Sequence, residues 1–419
     1  MNFSYFDINS LTPKTQQVGM KKLKKYRDEV KKVREDNDNC RPEYSLVHTR
    51  NPQVHDLVDN IKKQFKGVQH LVLVGIGGSN LGTEAVHEVL DKGKVKLHSL
   101  DHVSTHKMSL LVEELQSVRS VKKIAVCVVS KSGNTTETLV NAGIILDILE
   151  KRFSKTIYGQ TIFIGNPGTD FMKTGKRLGA NIVDMPTIVG GRYSVATEVG
   201  LLPLAILGHD TDSFISGVVD VLEDEFESVV AESAVKLQHY MVKNFKHYNF
   251  FAFESRLYKL GAWYRQLFAE SIGKEKDRAG KLVKSGFLPT VSTPTELHSV
   301  GQLYFSGFQG VYTDFVTFDD DSANYDIPKK GMSKIFGRFD AEEVATAIYG
   351  GVIEAYRERQ LPYRSTIFTE DLPYALGLFM GMRMLETMYV AELMNVNAFD
   401  QPNVELYKIK TRAILGLRS

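Results

Sequence analysis

VKKIAVCVVSKSGNTTETLVNAGIILDILEKRF, residues 121–153, reads without a break as strand, hydroxyl-rich turn and helix. Residues 124–129 are continuously apolar and mostly β-branched, the pattern of a parallel strand covered on both faces. Asn134 with Glu137 three positions on marks a helix start of the capping-box kind, after which Leu139, Ala142, Ile145 and Leu149 recur at helical spacing. Between strand and helix stand Ser130, Lys131, Ser132, Gly133, Asn134, Thr135, Thr136 and Thr138. A helix N-terminus presents unpaired N–H groups and about half a positive charge, so hydroxyls gathered there suit a phosphate monoester. Capping alone occupies one or two side chains, and five hydroxyls with a lysine exceed that need. The nucleotide pattern G-x-x-x-x-G-K-[ST] is absent from this turn, so the expected ligand is a small phosphorylated molecule.

Outward from this stretch, the runs HLVLVG, VKLHSL, IAVCVV, QTIFIG and ANIVDM alternate with amphipathic segments, which indicates βαβ units and a parallel sheet. The first βα turn, GIGGSNLG at 75–82, is glycine-rich, and Gly78 and Ser79 allow close approach of a ligand. A dinucleotide fingerprint counted from Gly75 requires glycine at position 80, where Asn80 stands. Asp101 lies near the distance of a ribose-binding acid, so a nicotinamide-dependent dehydrogenase is a competing reading. In a second glycine-rich element, residues 189–194, Arg192 faces either a ligand oxyanion or solvent, and an apolar helix is expected over 195–207.

The polar segment 208–212 marks a domain boundary, and the half that follows is richer in helix. Gln266 and Glu270 are one turn apart on an amphipathic helix over 257–272. Asp340 with Glu343 caps another, residues 372–394 form a long buried one, and FFAFE, YTDFVTF and RSTIF suggest a second, smaller sheet.

With 43% hydrophobic and 24% charged residues in 419, the chain has room for two cores. Fifty-two basic against 50 acidic residues leave a net charge of +2, which selects neither nucleic acid nor an anionic membrane. Residues 21–36, KKLKKYRDEVKKVRED, have the mixed charge of a solvated helix. Cys40 and Cys127 are the only cysteines and Cys127 falls in an apolar strand, so a reducing compartment is expected. No leader pattern or bilayer-length apolar run is visible, and a cytoplasmic location follows as an expectation. His98, His102 and His106 are four apart, but the strand expected over 96–100 spoils their alignment, and no metal is expected.

Six stretches resemble the glucose-6-phosphate isomerase family: GIGGSNLG at 75–82, SKSGNTTET at 130–138, GGRYS at 190–194, QLFAES at 266–271, TELHSVGQ at 295–302 and FDQPNVELYK at 399–408. The resemblance implies an α/β fold with two SIS-like three-layer αβα domains, a parallel sheet flanked by helices in the first and a smaller sheet with more helix in the second. It divides the chain into an N-terminal helical segment 1–40, domains over 41–210 and 211–400, and a C-terminal helix over 401–419 returning to the site. It implies reversible interconversion of glucose 6-phosphate and fructose 6-phosphate through a cis-enediol, in glycolysis and gluconeogenesis, without a cofactor.

Carried over by motif, Glu270 moves the proton between C2 and C1, and His298 serves ring opening, reaching the site from the other subunit of a homodimer. Lys408 assists at the ring oxygen, and Arg192 favours the enediolate. Gly78, Ser79, Ser130, Lys131, Ser132, Gly133, Asn134, Thr135, Thr138, Gln266 and Gln401 fall on substrate-binding positions. Gln401 and Lys408, seven apart, are expected to share a helix face. The short N-terminal portion, the expanded segment 275–285, Glu296 and Asn403 depart from the family pattern. Activity on mannose 6-phosphate, and a sugar-phosphate sensor without turnover, stand as alternatives.

Overall fold

The computed structural model describes residues 1–7, 11–307, 310–319, 324–369 and 371–416. After β1 (Asn2–Phe6), α1 (Pro13–Asp36) and α2 (Pro52–Gln64), the chain alternates strand and helix: β2 (His70–Val74), α3 (Leu81–Leu90), β3 (Lys96–Leu100), α4 (Thr105–Leu115), β4 (Ile124–Ser130), α5 (Thr136–Phe153), β5 (Thr161–Gly165), α6 (Asp170–Leu178) and β6 (Asn181–Asp184). Three helices follow, α7 (Glu198–Leu207), α8 (Thr211–Asp220) and α9 (Asp224–Val242). The second alternating run is β7 (His247–Ala252), α10 (Tyr258–Ile272), β8 (Leu288–Ser292), β9 (Val311–Phe318), α11 (Ala341–Glu358) and β10 (Tyr363–Phe368), closed by α12 (Leu372–Leu393) and α13 (Glu405–Ile414).

β2 to β6 form a parallel five-stranded sheet in the order β3-β2-β4-β5-β6. Both faces are covered, as the unbroken apolar runs require: Leu71 and Leu73 join one core, whereas Val72 and Val74 join another with α4 and α5. On α5, Ala142, Ile145 and Leu149 are buried as expected, but Leu139 is 43% exposed. The apolar helix expected over 195–207 begins at Glu198, with Thr197 as its N-cap.

The second sheet, expected to be smaller, also has five strands, in the order β1-β10-β9-β7-β8. Two edge strands account for the difference. β8 carries Pro289, which an edge strand tolerates because the missing N–H need not pair. β1 pairs antiparallel with β10, so the segment 1–40, expected to be helical, begins with a strand of the second sheet. Tyr248 and Phe250 of β7 face the core shared with the first sheet, and Phe251 faces α11. α12 runs through the shared core, buried from Ala375 to Ala391. Among the described residues no helix is long and apolar enough to cross a membrane.

An ionic network that the sequence did not announce lies inside this core. Arg364 of β10 contacts Asp314 of β9 at 2.8 Å and Glu386 of α12 at 2.5 Å, and Arg383 contacts Asp314 at 3.0 Å. Burial pushes the Asp314 and Glu386 carboxyls up, but the two guanidinium charges more than offset it, and both stay below the usual carboxylate range.

Candidate active site

The first sheet changes direction between β2 and β4: the chain leaves β2 for β3 on one side and returns to β4 on the other. The loops after β2 and β4 therefore diverge at their C-terminal ends, the position where open α/β sheets hold ligands. Gly77, at φ +62°, starts the turn after β2. A Cβ on Gly78 would stand 2.1 Å from the Gly191 carbonyl carbon, so the two glycine-rich turns touch through bare backbone. A cavity of about 690 Å³ opens beside them. Its walls include Gly78, Ser79, Lys131, Ser132, Asn134, Thr135, Arg192, Gln266, Glu270, Gln401 and Lys408.

Three of the expected substrate-binding residues, Ser130, Gly133 and Thr138, lie outside this wall. Ser130 is buried at the end of β4, where its hydroxyl accepts from the Gly133 N–H at 3.1 Å and donates to Thr135 Oγ1 at 3.3 Å. Gly133 has φ +70°, and Thr138 is buried behind the turn. These residues shape the loop and leave its outer face to Ser132, Asn134 and Thr135.

The capping box expected at Asn134 and Glu137 does not form. α5 begins at Thr136, and Thr135, its N-cap, makes no side-chain hydrogen bond to the first turn. The first N–H groups thus remain for a ligand at the cavity edge, where Thr135, Thr136 and Glu137 line it. Lys131 Nζ donates to the Val189 carbonyl at 2.9 Å, and burial together with the nearby Arg192 charge holds its pKa below the usual lysine range.

Arg192 is buried and makes as many hydrogen bonds as a guanidinium has N–H groups. Nε donates to Ser271 Oγ at 2.8 Å, Nη1 to Glu270 Oε2 at 3.2 Å and to Gln401 Oε1 at 2.7 Å, and Nη2 to the carbonyls of Ala398 and Asp400. The side chain is therefore not a free surface arginine: it lines the cavity with its hydrogen bonds already made. To meet an oxyanion, Arg192 must give up a bond already made. Gln266 Nε2 donates to Glu270 Oε1 at 2.9 Å, so the carboxylate is gripped at both oxygens yet remains one-third exposed to the cavity. Gln266 Oε1 is buried with no hydrogen-bond partner among the described residues.

Gln401 and Lys408 both reach the cavity, though not from one helix: Gln401 precedes a short turn, Pro402–Val404, and Lys408 lies on α13 with Nζ 2.6 Å from Glu405 Oε1. α13 adds Tyr407, Thr411 and Arg412 to the wall, none singled out beforehand, and Arg412 Nη2 donates to the Asn134 carbonyl at 3.1 Å. Asn166, after β5, is a further unforeseen wall residue. His298 is exposed at the end of the turn Pro294–His298 and does not line the cavity of its own chain. Glu296 serves that turn locally, accepting from the Thr293 N–H at 2.6 Å. Asn80 and Asp101, which bore on the dehydrogenase reading, are occupied: Asn80 is buried and donates to Glu84 at 2.6 Å, and Asp101 accepts from Lys107 at 2.7 Å.

A family model described as phosphoglucose isomerase matches residues 20–417. The chain belongs to that family. All six motif stretches fall inside the matched range, and as a phosphoglucose isomerase family member the protein is an aldose–ketose isomerase. It is 32% identical over 363 residues to a glucose-6-phosphate isomerase of Thermus thermophilus, covering 83% of this chain and 84% of that protein. A Clostridium tetani glucose-6-phosphate isomerase is 29% identical over 366 residues, 83% of this chain and 80% of its own. Among solved structures, a hypothetical protein from Thermus thermophilus superposes with a TM-score of 0.85 at 27% identity, covering 99% of this chain and 100% of that one. A Chlamydia trachomatis glucose-6-phosphate isomerase shares the phosphoglucose isomerase fold at a TM-score of 0.80 and 15% identity, over 99% of this chain and 88% of the other.

Proposed function

We propose that this protein interconverts glucose 6-phosphate and fructose 6-phosphate through a cis-enediol, with Glu270 as the proton-transferring base. The observation that carries the reading is a shared cavity: the Glu270 carboxylate and the uncapped start of α5 line one space of about 690 Å³. The phosphate dianion sits at the α5 N-terminus against the Ser132 and Thr135 hydroxyls, with the Lys131 ammonium beside it. Glu270 then removes the C2 proton of the open aldose, the C–H electron pair forms the C1–C2 double bond, and the carbonyl oxygen gains a proton. Return of the proton to C1, as the C2 hydroxyl gives up its own proton and its O–H electron pair forms the new C2 carbonyl, gives the ketose.

Gln266 keeps the carboxylate oriented through its Nε2. Arg192 anchors Glu270 and Gln401 and supplies positive charge next to the developing enediolate. Lys408 serves the ring oxygen. His298 performs ring opening from the second chain of a homodimer, a reading supported by its exposure and by the exposed apolar side chains Leu406, Ile409 and Ile414 of α13. A cytoplasmic setting belongs to the same proposal and fits the two free cysteines.

The test is a coupled assay starting from fructose 6-phosphate that scores glucose 6-phosphate and mannose 6-phosphate separately. Wild type yields glucose 6-phosphate, and Glu270→Gln lowers kcat by roughly two to four orders of magnitude while phosphate-ester binding is retained. Normal turnover by Glu270→Gln removes that residue from the role of base.

A further inference from the structure

We propose that His70, His98 and Glu114 form a binding site for a divalent transition metal, with zinc as the fitting ion, at the end of the first sheet away from the active-site cavity. In the parallel register His70 lies opposite Lys96 and Val72 opposite His98, so the two histidines are diagonal neighbours. They belong to the face whose Val72, Val74 and Leu100 pack against α4. Glu114, in the last turn of α4, closes over them. Strand period two, which denied His98 a partnership with His102 and His106, is what aligns it with His70.

Among the described residues this is the one group of three such ligands: a single donor atom from each can be chosen so that all three lie within 4.8 Å. His70 Nδ1 is 3.1 Å from His98 Nε2, His70 Nδ1 is 3.8 Å from Glu114 Oε1, and His98 Nδ1 is 3.9 Å from Glu114 Oε2. The two longer separations exceed a hydrogen bond. The separation between the facing nitrogens is near the roughly 3.4 Å between two ligands each about 2.0–2.1 Å from a tetrahedral zinc, and the two contacts to Glu114, made through both its oxygens, place the carboxylate over the pair of rings. The hydrogen bond between the rings needs only one N–H, so at least one facing nitrogen already carries a lone pair.

Two imidazoles with one carboxylate suit zinc, with water as the fourth ligand. The side chains are 16%, 10% and 31% exposed, sheltered but within reach of solvent. Lys96 Nζ lies 2.7 Å from Glu114 Oε1. It steadies the carboxylate, and its charge opposes the metal. His70 opens β2 and the cavity lies beyond the far end of that strand, so an ion here pins β3, β2 and α4 together without entering the reaction.

Full-length protein stripped with a chelator and dialysed, then titrated calorimetrically with zinc chloride alone, is expected to take up one equivalent per chain and to melt a few degrees higher. His98→Ala and Glu114→Gln should each weaken uptake about tenfold or more, with far-UV circular dichroism and isomerisation unchanged. Lys96→Gln should tighten it several-fold by removing the competing charge. If His98→Ala fails to fold, His70→Gln and Glu114→Gln carry the same comparison. Absence of saturable uptake by wild type, or equal uptake by wild type and these variants, overturns the site.

Discussion

Ser130 and Thr135 are five residues apart in one hydroxyl-rich turn, yet they stand on opposite sides of it. The Ser130 hydroxyl is consumed by the Gly133 N–H and Thr135 Oγ1, whereas Thr135 faces the cavity. Thr135→Ala is therefore expected to raise KM roughly tenfold or more, the effect of one lost charge-assisted hydrogen bond, with little change in melting temperature. Ser130→Ala leaves a buried N–H without its acceptor and should cost about 1–3 kcal/mol of stability, measured by denaturant titration. Equal KM effects from the two would mean that the ligand reaches behind the turn. Arg192 makes the same point about position. Its type and its place after two glycines suggested a charge facing outward, and the hydrogen-bonding carbonyls of Ala398 and Asp400 lie two hundred residues away, beyond any local pattern.

Between elements, the contact of the turn after β2 with the one before α7 sets the geometry of the cavity floor. Gly78→Ala drives a methyl group into the Gly191 backbone, and is expected to lower melting temperature by the equivalent of about 1–3 kcal/mol and activity with it. Gly191→Ala is the control: the nearest atom to its added Cβ is Gly78 Cα at 3.8 Å, ordinary van der Waals contact. A Gly78→Ala enzyme as active and stable as Gly191→Ala would show that the turns yield easily.

The central strands β2, β4 and β5 were legible because burial on both faces leaves an unbroken apolar run, whereas β3, β6, β7, β9 and β10 showed only as short runs of apolar, aromatic and β-branched residues interrupted by polar ones. β8 was hidden by Pro289, which argues against a strand until its edge position is known. The phosphate turn showed itself as an excess of hydroxyls over what capping uses, but which hydroxyls face outward depends on the φ of Gly133 and the start of α5. Tyr407, Arg412 and Asn166 carried no signal, since a polar residue on an exposed helix face or loop resembles every other one. His298 was legible only through resemblance, and its own chain leaves it outside the cavity.

Across the whole molecule, the network of Arg364, Arg383, Asp314 and Glu386 joins β9 and β10 to α12. Arg364→Met leaves two buried carboxylates with one partner between them, and should cost about 3–5 kcal/mol of stability. A second global effect arises where α3 meets the end of α7: His87 Nδ1 lies 2.9 Å from His209 Nε2. Burial lowers the pKa of both, that of His209 to about 4 with help from the facing His87, while Asp91 opposes the shift in each and Lys92 adds to it at His209. Folded-state values below that of a free histidine mean that the unfolded chain binds more protons in acid. This contribution is present above about pH 6.5 and is lost as pH falls toward 4. Melting temperature should drop between pH 7 and 5, and His209→Gln should flatten part of that slope.

The edge strand β1 closes a sheet whose remaining members are made far later: Asn2 meets Ile367, and Phe6 meets Tyr363. During synthesis β1 must wait, unpaired and partly apolar, until the distant β10 has emerged. Completion of the second half is thus the event that retires an adhesive strand. A ribosome stalled before residue 363 would hold a chain poised for chaperones or for strand exchange with a neighbour.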